Sequence, residues 1–372
     1  MGFGLNEYSI FTVVDLAALF INLRLVIDLK NTDGRVFAGD NPENGTKRKM
    51  FLVMCTLALI ENSLSVINDI IYITVDIMDR FTDEIFLQRL QFVDYFLAEA
   101  SSTVLILLWM LFVDFCVYKS PGHIRKRYPP YYILACIGVL ISAFSMIGTS
   151  MRVTDPPVWM LVLAIIQTFF ILPVIQLIFA VTACIIVCRY QRERRPPLFL
   201  RLSVFLIPVV IGCVVGSALH SCFESLGFAI GLLLTWRVQG NRSRYMDQDS
   251  GFYNREFLRV MYDHLEKKGY LNGKGVIFFA PGRTDGLVKA VQQLDYDNSE
   301  LFLLEDGKML ITTGEQKEEA MELIIHFVEA CGREADPPFK VSAEIIERLE
   351  GESAGAFTER IIEKAESLAG GE

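Results

Sequence analysis

Residues Trp236–Phe257 read WRVQGNRSRYMDQDSGFYNREF, and the chain changes character across them. Before this stretch lie long apolar segments separated by basic loops. After it, short apolar runs alternate with charged ones at the spacing of a small water-soluble domain. The expected organisation is therefore a membrane part at 1–238, a short coupling linker at 239–252 and a single domain at 253–372.

Composition supports that division. Of 372 residues, 52% are hydrophobic and 21% charged, and the mean hydropathy is +0.37, too apolar for an average soluble protein. The net charge is −9, yet from Asn241 onward 16 Lys and Arg face 26 Asp and Glu, so the acidity belongs to the C-terminal part. An acidic domain repels phosphate backbones, which argues against nucleic acid as a partner. Seven of the eight Cys lie in or beside apolar segments and no CxxC occurs, so they read as small core residues with neither zinc nor a disulfide framework. Met1–Asn6 lacks the basic start of a removable signal peptide.

A helix crosses a bilayer with roughly 20 mostly apolar residues. Seven segments qualify as candidates: Ile10–Leu29, Met50–Ile77, Phe86–Tyr118, Tyr131–Ser150, Pro157–Cys188, Leu202–Leu219 and Phe223–Val238. Alternate connections are basic. Lys30, Arg35, Lys47, Arg48 and Lys49 fall in one, Lys119, Arg125, Lys126 and Arg127 in the next, and Arg189, Arg192, Arg194, Arg195 and Arg201 in the third. The opposite connections hold only Arg80 and Arg152. The positive-inside rule then predicts an N-terminus outside and a cytoplasmic C-terminal domain.

Polar residues recur within the apolar segments. Glu61, Ser65, Asn68 and Tyr72 form one helical stripe with Asp69 beside it, and Asp94 and Glu99 lie at comparable depth on the next segment. Asp15, Asn22 and Gln167 complete an expected outward-opening polar cavity. Ionisable groups at such depth cost about 2 to 3 kcal/mol each, so they mark either a ligand site or interhelical hydrogen bonds. Acids without matching Lys or Arg suit a cationic or amine ligand. The last segment, FESLGFAIGLLLTWRV, has no Lys for a retinal Schiff base, and no internal repeat suggests a carrier.

Past Asn254 the pattern reads helix (REFLRVMYDHLEKKG), strand (GVIFFA), helix (DGLVKAVQQL), a hairpin turning at Asp306-Gly307 (LFLLEDGKMLITT), helix (EQKEEAMELIIHFVEAC), strand (FKVSAEII) and helix (FTERIIEKAESLA). The fold class expected is an all-α seven-helix transmembrane bundle followed by a small α+β sandwich with one sheet.

The run Asp247-Gln248-Asp249-Ser250-Gly251-Phe252-Tyr253-Asn254-Arg255 resembles the opening signature of GGDEF domains, the diguanylate cyclase family, usually D-x-L-T-G-L-x-N-R. Asp247, Gly251, Asn254 and Arg255 match it. The element order and the late Lys340-Val341-Ser342 are similar to the family as well, across about residues 245–370. The resemblance implies a bacterial inner-membrane sensor. It also implies a chemistry, the joining of two GTP molecules through Mg²⁺ held by carboxylates at the end of the first strand and in the G-G-D/E-E-F hairpin. Here the strand ends Phe278-Phe279-Ala280-Pro281-Gly282 with no carboxylate before Asp285, and Leu304-Glu305-Asp306-Gly307-Lys308 stands in the hairpin. Hard cations need anionic oxygens. The family's substrate-contacting F-K-x-x-N-D helix and its inhibitory R-x-x-D site have no counterparts.

The expectation is thus a receptor in the lipid bilayer with a degenerate output domain acting through homodimerisation or protein contact. It would have no catalytic residue, no metal and no cofactor of its own. Mg²⁺ and GTP enter only under the alternative of an active cyclase with a non-standard site, and a transporter with a regulatory tail is a second alternative.

Overall fold

The computed structural model describes residues 5–31, 42–78, 84–118, 121–150, 166, 171–192, 202–219, 223–247, 250–269, 274–292, 299–305, 307–313 and 318–369. They are mostly helical, with one small mixed sheet toward the C-terminus. Two compact units result, and the main division between them falls at Val238/Gln239.

The first unit contains α1 (Leu5–Asn31), α2 (Pro42–Met78), α3 (Glu84–Tyr118), α4 (Pro121–Arg127), α5 (Pro129–Ser150), α6 (Leu172–Arg192), α7 (Leu202–Leu219) and most of α8 (Phe223–Ser243). Among the described residues, three stretches are long and apolar enough to cross a membrane: Gly45–Ile71, Ala100–Tyr118 and Leu172–Tyr190. The seven expected spans therefore reduce to three that meet the requirement. α5 and α7 supply only the shorter apolar stretches Pro129–Ile141 and Leu202–Val215. α1 carries Asp15, Arg24, Asp28 and Lys30, while most of the expected segment before Leu172 lies outside the described residues.

α3 is the axis of this unit, since 83% of its span is buried against 39% and 33% for those of α2 and α6. The other helices turn apolar side chains outward: Val13, Phe20 and Ile27 from α1, Val53, Ile60 and Ile67 from α2, Leu177, Val181 and Ile185 from α6, and Ile207, Ile211 and Val214 from α7. A surface of that extent is unfavourable in water. α7 and α8 pack backbone to backbone. A Cβ on Gly212 would fall 2.6 Å from the Phe223 carbonyl oxygen, and one on Gly227 would fall 2.6 Å from that of Pro208. With Gly231 one turn on, α8 carries the G-x-x-x-G spacing that lets membrane helices approach closely.

Basic residues expected in the first loop are helical instead. α2 begins at Pro42, a residue suited to the first helical position, so Lys47, Arg48 and Lys49 lie within it. Lys47 is fully buried, its Nζ 6.0 Å from the centre of the Phe115 ring. Arg48 donates from Nε and Nη2 to the Leu29 carbonyl at 3.2 and 2.7 Å, which satisfies a carbonyl left open at the end of α1.

The second unit holds β1 (Tyr253–Asn254), α9 (Arg255–Lys267), β2 (Lys274–Phe279), α10 (Thr284–Gln292), β3 (Ser299–Glu305), β4 (Lys308–Thr313), α11 (Glu318–Glu334), β5 (Ser342–Glu347) and α12 (Ala354–Ala369). The sheet order is β1-β3-β4-β2-β5. β4 runs antiparallel to both β3 and β2, so β2 and β3 are parallel with β4 between them, the split βαβ arrangement. β5 adds antiparallel to the other side of β2, and β1 adds parallel to β3.

Helices cover both faces of the sheet. Ile277, Phe302 and Leu310 point to the side of α9 and α12, where Phe257, Leu258, Met261, Tyr262, Phe357 and Ile361 pack on them. Val276, Phe278, Met309 and Ile311 point to α10 and α11, against Leu287, Val291, Met321, Ile324 and Val328. This two-sided burial explains the unbroken apolar run of β2, which has no solvent face to encode. One end of the β5 edge is occupied from the same unit, where the Arg360 guanidinium donates to the Glu347 carbonyl at 2.7 Å.

Candidate functional site

The opening motif makes a closed local fold. Asp247 Oδ1 accepts hydrogen bonds from the Ser250 amide at 2.8 Å and the Ser250 hydroxyl at 2.7 Å, and the Asp247 amide donates to the Phe252 carbonyl at 2.8 Å. Gly251, at φ +71, turns the chain in the left-handed region that favours glycine. Met246 then bridges Tyr253, and the Asn254 amide donates to the Tyr245 carbonyl. Asn254 is the N-cap of α9. Its Oδ1 accepts from the Phe257 amide at 3.0 Å while its Nδ2 donates to the Arg244 carbonyl at 2.9 Å. Within the stretch expected as a linker, α8 reaches Ser243 and Met246 bridges Tyr253.

Arg255 reaches across to the hairpin, where its Nη1 lies 3.7 Å from Glu305 Oε1. Lys308 holds the other oxygen of Glu305 at 2.9 Å. The hydrogen bond and charge of Lys308, joined by the charge of Arg255, keep the Glu305 carboxyl below the usual carboxylate range. Glu305 is therefore spent on protein cations.

Gly307, at φ +74, is pressed onto the end of β2. Its carbonyl accepts from the Ala280 amide at 2.9 Å, its amide donates to Thr284 Oγ1 at 2.8 Å, and a Cβ there would lie 2.6 Å from the Ala280 oxygen. Asp306 lies outside the described residues. The cyclase chemistry implied by the resemblance needs a carboxylate at the end of β2, and the position holds Ala280, bonded to the turn. Ala280 thus supplies no anionic oxygen where the resemblance implies one. Among the described residues, no group of three or more His, Cys, Asp or Glu converges on a point. A cleft of about 840 Å³ opens between the start of α10 and the end of α11. Its charged lining of Arg283, Asp285, Lys289, Glu334 and Asp336 is mixed in sign and favours neither anions nor cations.

In the helical unit, three of the expected polar residues, Glu61, Ser65 and Asp15, take part in interhelical hydrogen bonds. Ser225 donates to Glu61 Oε1 at 2.8 Å, joining α8 to α2, and Ser65 donates to Asp15 Oδ2 at 2.6 Å, joining α2 to α1. Asp69 lies part-buried one turn beyond Ser65. The side chains of Asn68, Asp94 and Glu99, and Gln167 altogether, lie outside the described residues.

Four further residues extend this layer. Gln176 Nε2 donates to Ser102 Oγ at 2.9 Å, and Glu224 is hydrogen-bonded to Ser102 and Cys213. A common depth follows from the aromatic layer below, where Phe51 stacks on Trp236 at 5.9 Å and meets Phe112 at 5.8 Å. From there Glu61, Ser102 and Ser225 are ten, ten and eleven residues along their helices, or about 15 to 17 Å. Hydroxyls and an amide inside apolar runs carry no periodic signal, and Glu224 reads as a segment end. Of this layer only Glu61 was expected from sequence. Nearer the C-terminal end of α3, the fully buried Asp114 accepts from the Tyr128 hydroxyl at 2.6 Å.

Neither a protein-family model nor a curated protein matches this chain.

Proposed function

We propose that the chain is a membrane-bound signal-transduction receptor whose helical unit senses a ligand and whose C-terminal domain relays the signal by contact, without cyclising GTP. The observation that carries this reading is the contrast within the second unit. The opening motif and the element order, which carry the diguanylate cyclase resemblance, are both present, with Asp247 and Asn254 holding local hydrogen bonds. At the expected catalytic position the turn is sealed onto Ala280, and Glu305 is neutralised by Lys308 and Arg255.

The membrane setting is supported by the three long apolar helices and by the outward apolar side chains of α1 and α7. On this reading all seven segments cross a bacterial inner membrane, with the basic connections and the domain in the cytoplasm. The polar layer of Glu61, Ser102, Gln176, Glu224 and Ser225 is the candidate sensing element, suited to a cationic or amine ligand by its two acids.

Purified full-length protein incubated with GTP and Mg²⁺ tests the output. No cyclic dinucleotide above a no-protein control is expected. Product formation abolished by a Glu305→Ala, Asp306→Ala double variant would establish an active cyclase instead.

A further inference from the structure

The seam between α1 and α2 contains a polar ladder that the sensing layer does not use. The Ser65–Asp15 bond at one end and the Arg48–Leu29 bond at the other fix the two helices as antiparallel neighbours. That register sets Asn62 of α2 opposite Ala18 of α1, and Asn22 of α1 opposite Ala58 of α2. All four are 0% or 1% exposed. Among the described residues, neither amide oxygen nor amide nitrogen of Asn22 or Asn62 has a hydrogen-bond partner. Asn62 precedes Ser65 by three residues and so shares its face of α2, one turn from the Asp15 carboxylate.

Two fully buried amides facing alanine methyls need a polar occupant, because a polar group removed from water without a partner is strongly disfavoured. Ala18 and Ala58 offer the amides no side-chain hydrogen-bonding group. The oxygen donors near one another are a carboxylate from Asp15, a hydroxyl from Ser65 and the amide carbonyl of Asn62. Oxygen donors of this kind replace the hydration shell of a hard cation, and a single carboxylate balances a single positive charge.

We propose that the α1–α2 seam binds a dehydrated monovalent cation of sodium size through Asp15, Ser65 and Asn62, with Asn22 one turn along lining its approach. Glu61, four residues before Ser65 on the same stripe of α2, is engaged by Ser225 from α8, and the proposal does not depend on the signalling reading.

Full-length protein in detergent micelles, melted in NaCl, KCl or choline chloride at equal ionic strength, tests it. A cation bound only by the folded state should raise the melting temperature saturably, by roughly 2 to 5 °C at about ten times its dissociation constant. Sodium should exceed choline. Asn62→Leu should melt no lower than wild type in choline, because it removes an unpartnered buried amide, and should lose the sodium response; Asp15→Asn should lose the response as well. Sodium-23 line broadening on the wild type, absent in Asn62→Leu, checks binding without unfolding. Equal melting in all three salts would overturn the proposal, as would a full sodium response retained by Asn62→Leu or a response to pH alone.

Discussion

Gly307 concentrates two constraints in one position, a φ of +74 and an Ala280 oxygen 2.6 Å from where a Cβ would stand. Gly307→Ala should therefore lower stability by about 2 to 4 kcal/mol, read from thermal unfolding. Asn254 works through both ends of its amide. Asn254→Ala should cost about 1 to 2 kcal/mol by uncapping α9, whereas Asn254→Asp should keep the cap and lose only the bond to the Arg244 carbonyl. Glu352 is a case for pH. Its carboxylate is 10% exposed, takes two hydrogen bonds from Arg360, at 2.8 and 2.7 Å, and one from the Leu349 amide. Arg360 chiefly, then the Leu349 amide, hold it below the usual glutamate range. A depressed carboxyl contributes stability above its unfolded value, near 4.3, and loses it as pH falls toward the folded value. Glu352→Gln should thus speed hydrogen exchange in β5 and α12 at pH 7, with the difference shrinking below about pH 4.

Among elements, the α7–α8 hairpin makes the sharpest demand on sequence. Gly227→Leu forces a side chain into the Pro208 carbonyl and should lower the melting temperature in micelles by several degrees, while Gly45→Ala, with nothing within 4 Å, should leave it unchanged. This contact was not read from the sequence, because contact between segments leaves no periodicity in either one. The same limit governs the sheet. The helices and strands of residues 255–369 follow from alternation, turn residues and caps such as Asn254 and Gly269, so their order could be read directly. β1 could not, since two residues define no period. Nor could the insertion of β4 between β2 and β3, which is decided by packing of Phe302 and Leu310 against α9 and α12. Phe302→Ala, emptying that contact, should cost about 3 to 5 kcal/mol of the domain's unfolding free energy.

At the scale of the molecule, the change of solvent near Trp236 was legible because apolarity and charge are summed over many residues. The number of spans was harder to read: apolar sequence suggested seven, whereas among the described residues three stretches meet the length and composition a span needs, and α1, α5 and α7 are too charged or too short in apolar sequence. Of the candidate polar residues, Glu61 and Asp15 were legible as acids within apolar segments. Ser65, the partner of Asp15, was read in the same stripe, whereas Ser225, the partner of Glu61, was not, since serine is common in apolar helices for other reasons. Arg360 has a further consequence. The sheet has two outer strands, one only two residues long and the other with a guanidinium seated on its last carbonyl. Both edges are blunted against extension by a strand from another molecule. If two copies of this domain associate, the joint runs through helix faces, and signal-dependent pairing would be a matter of surface orientation, with the hydrogen-bonded sheet ending where each chain ends.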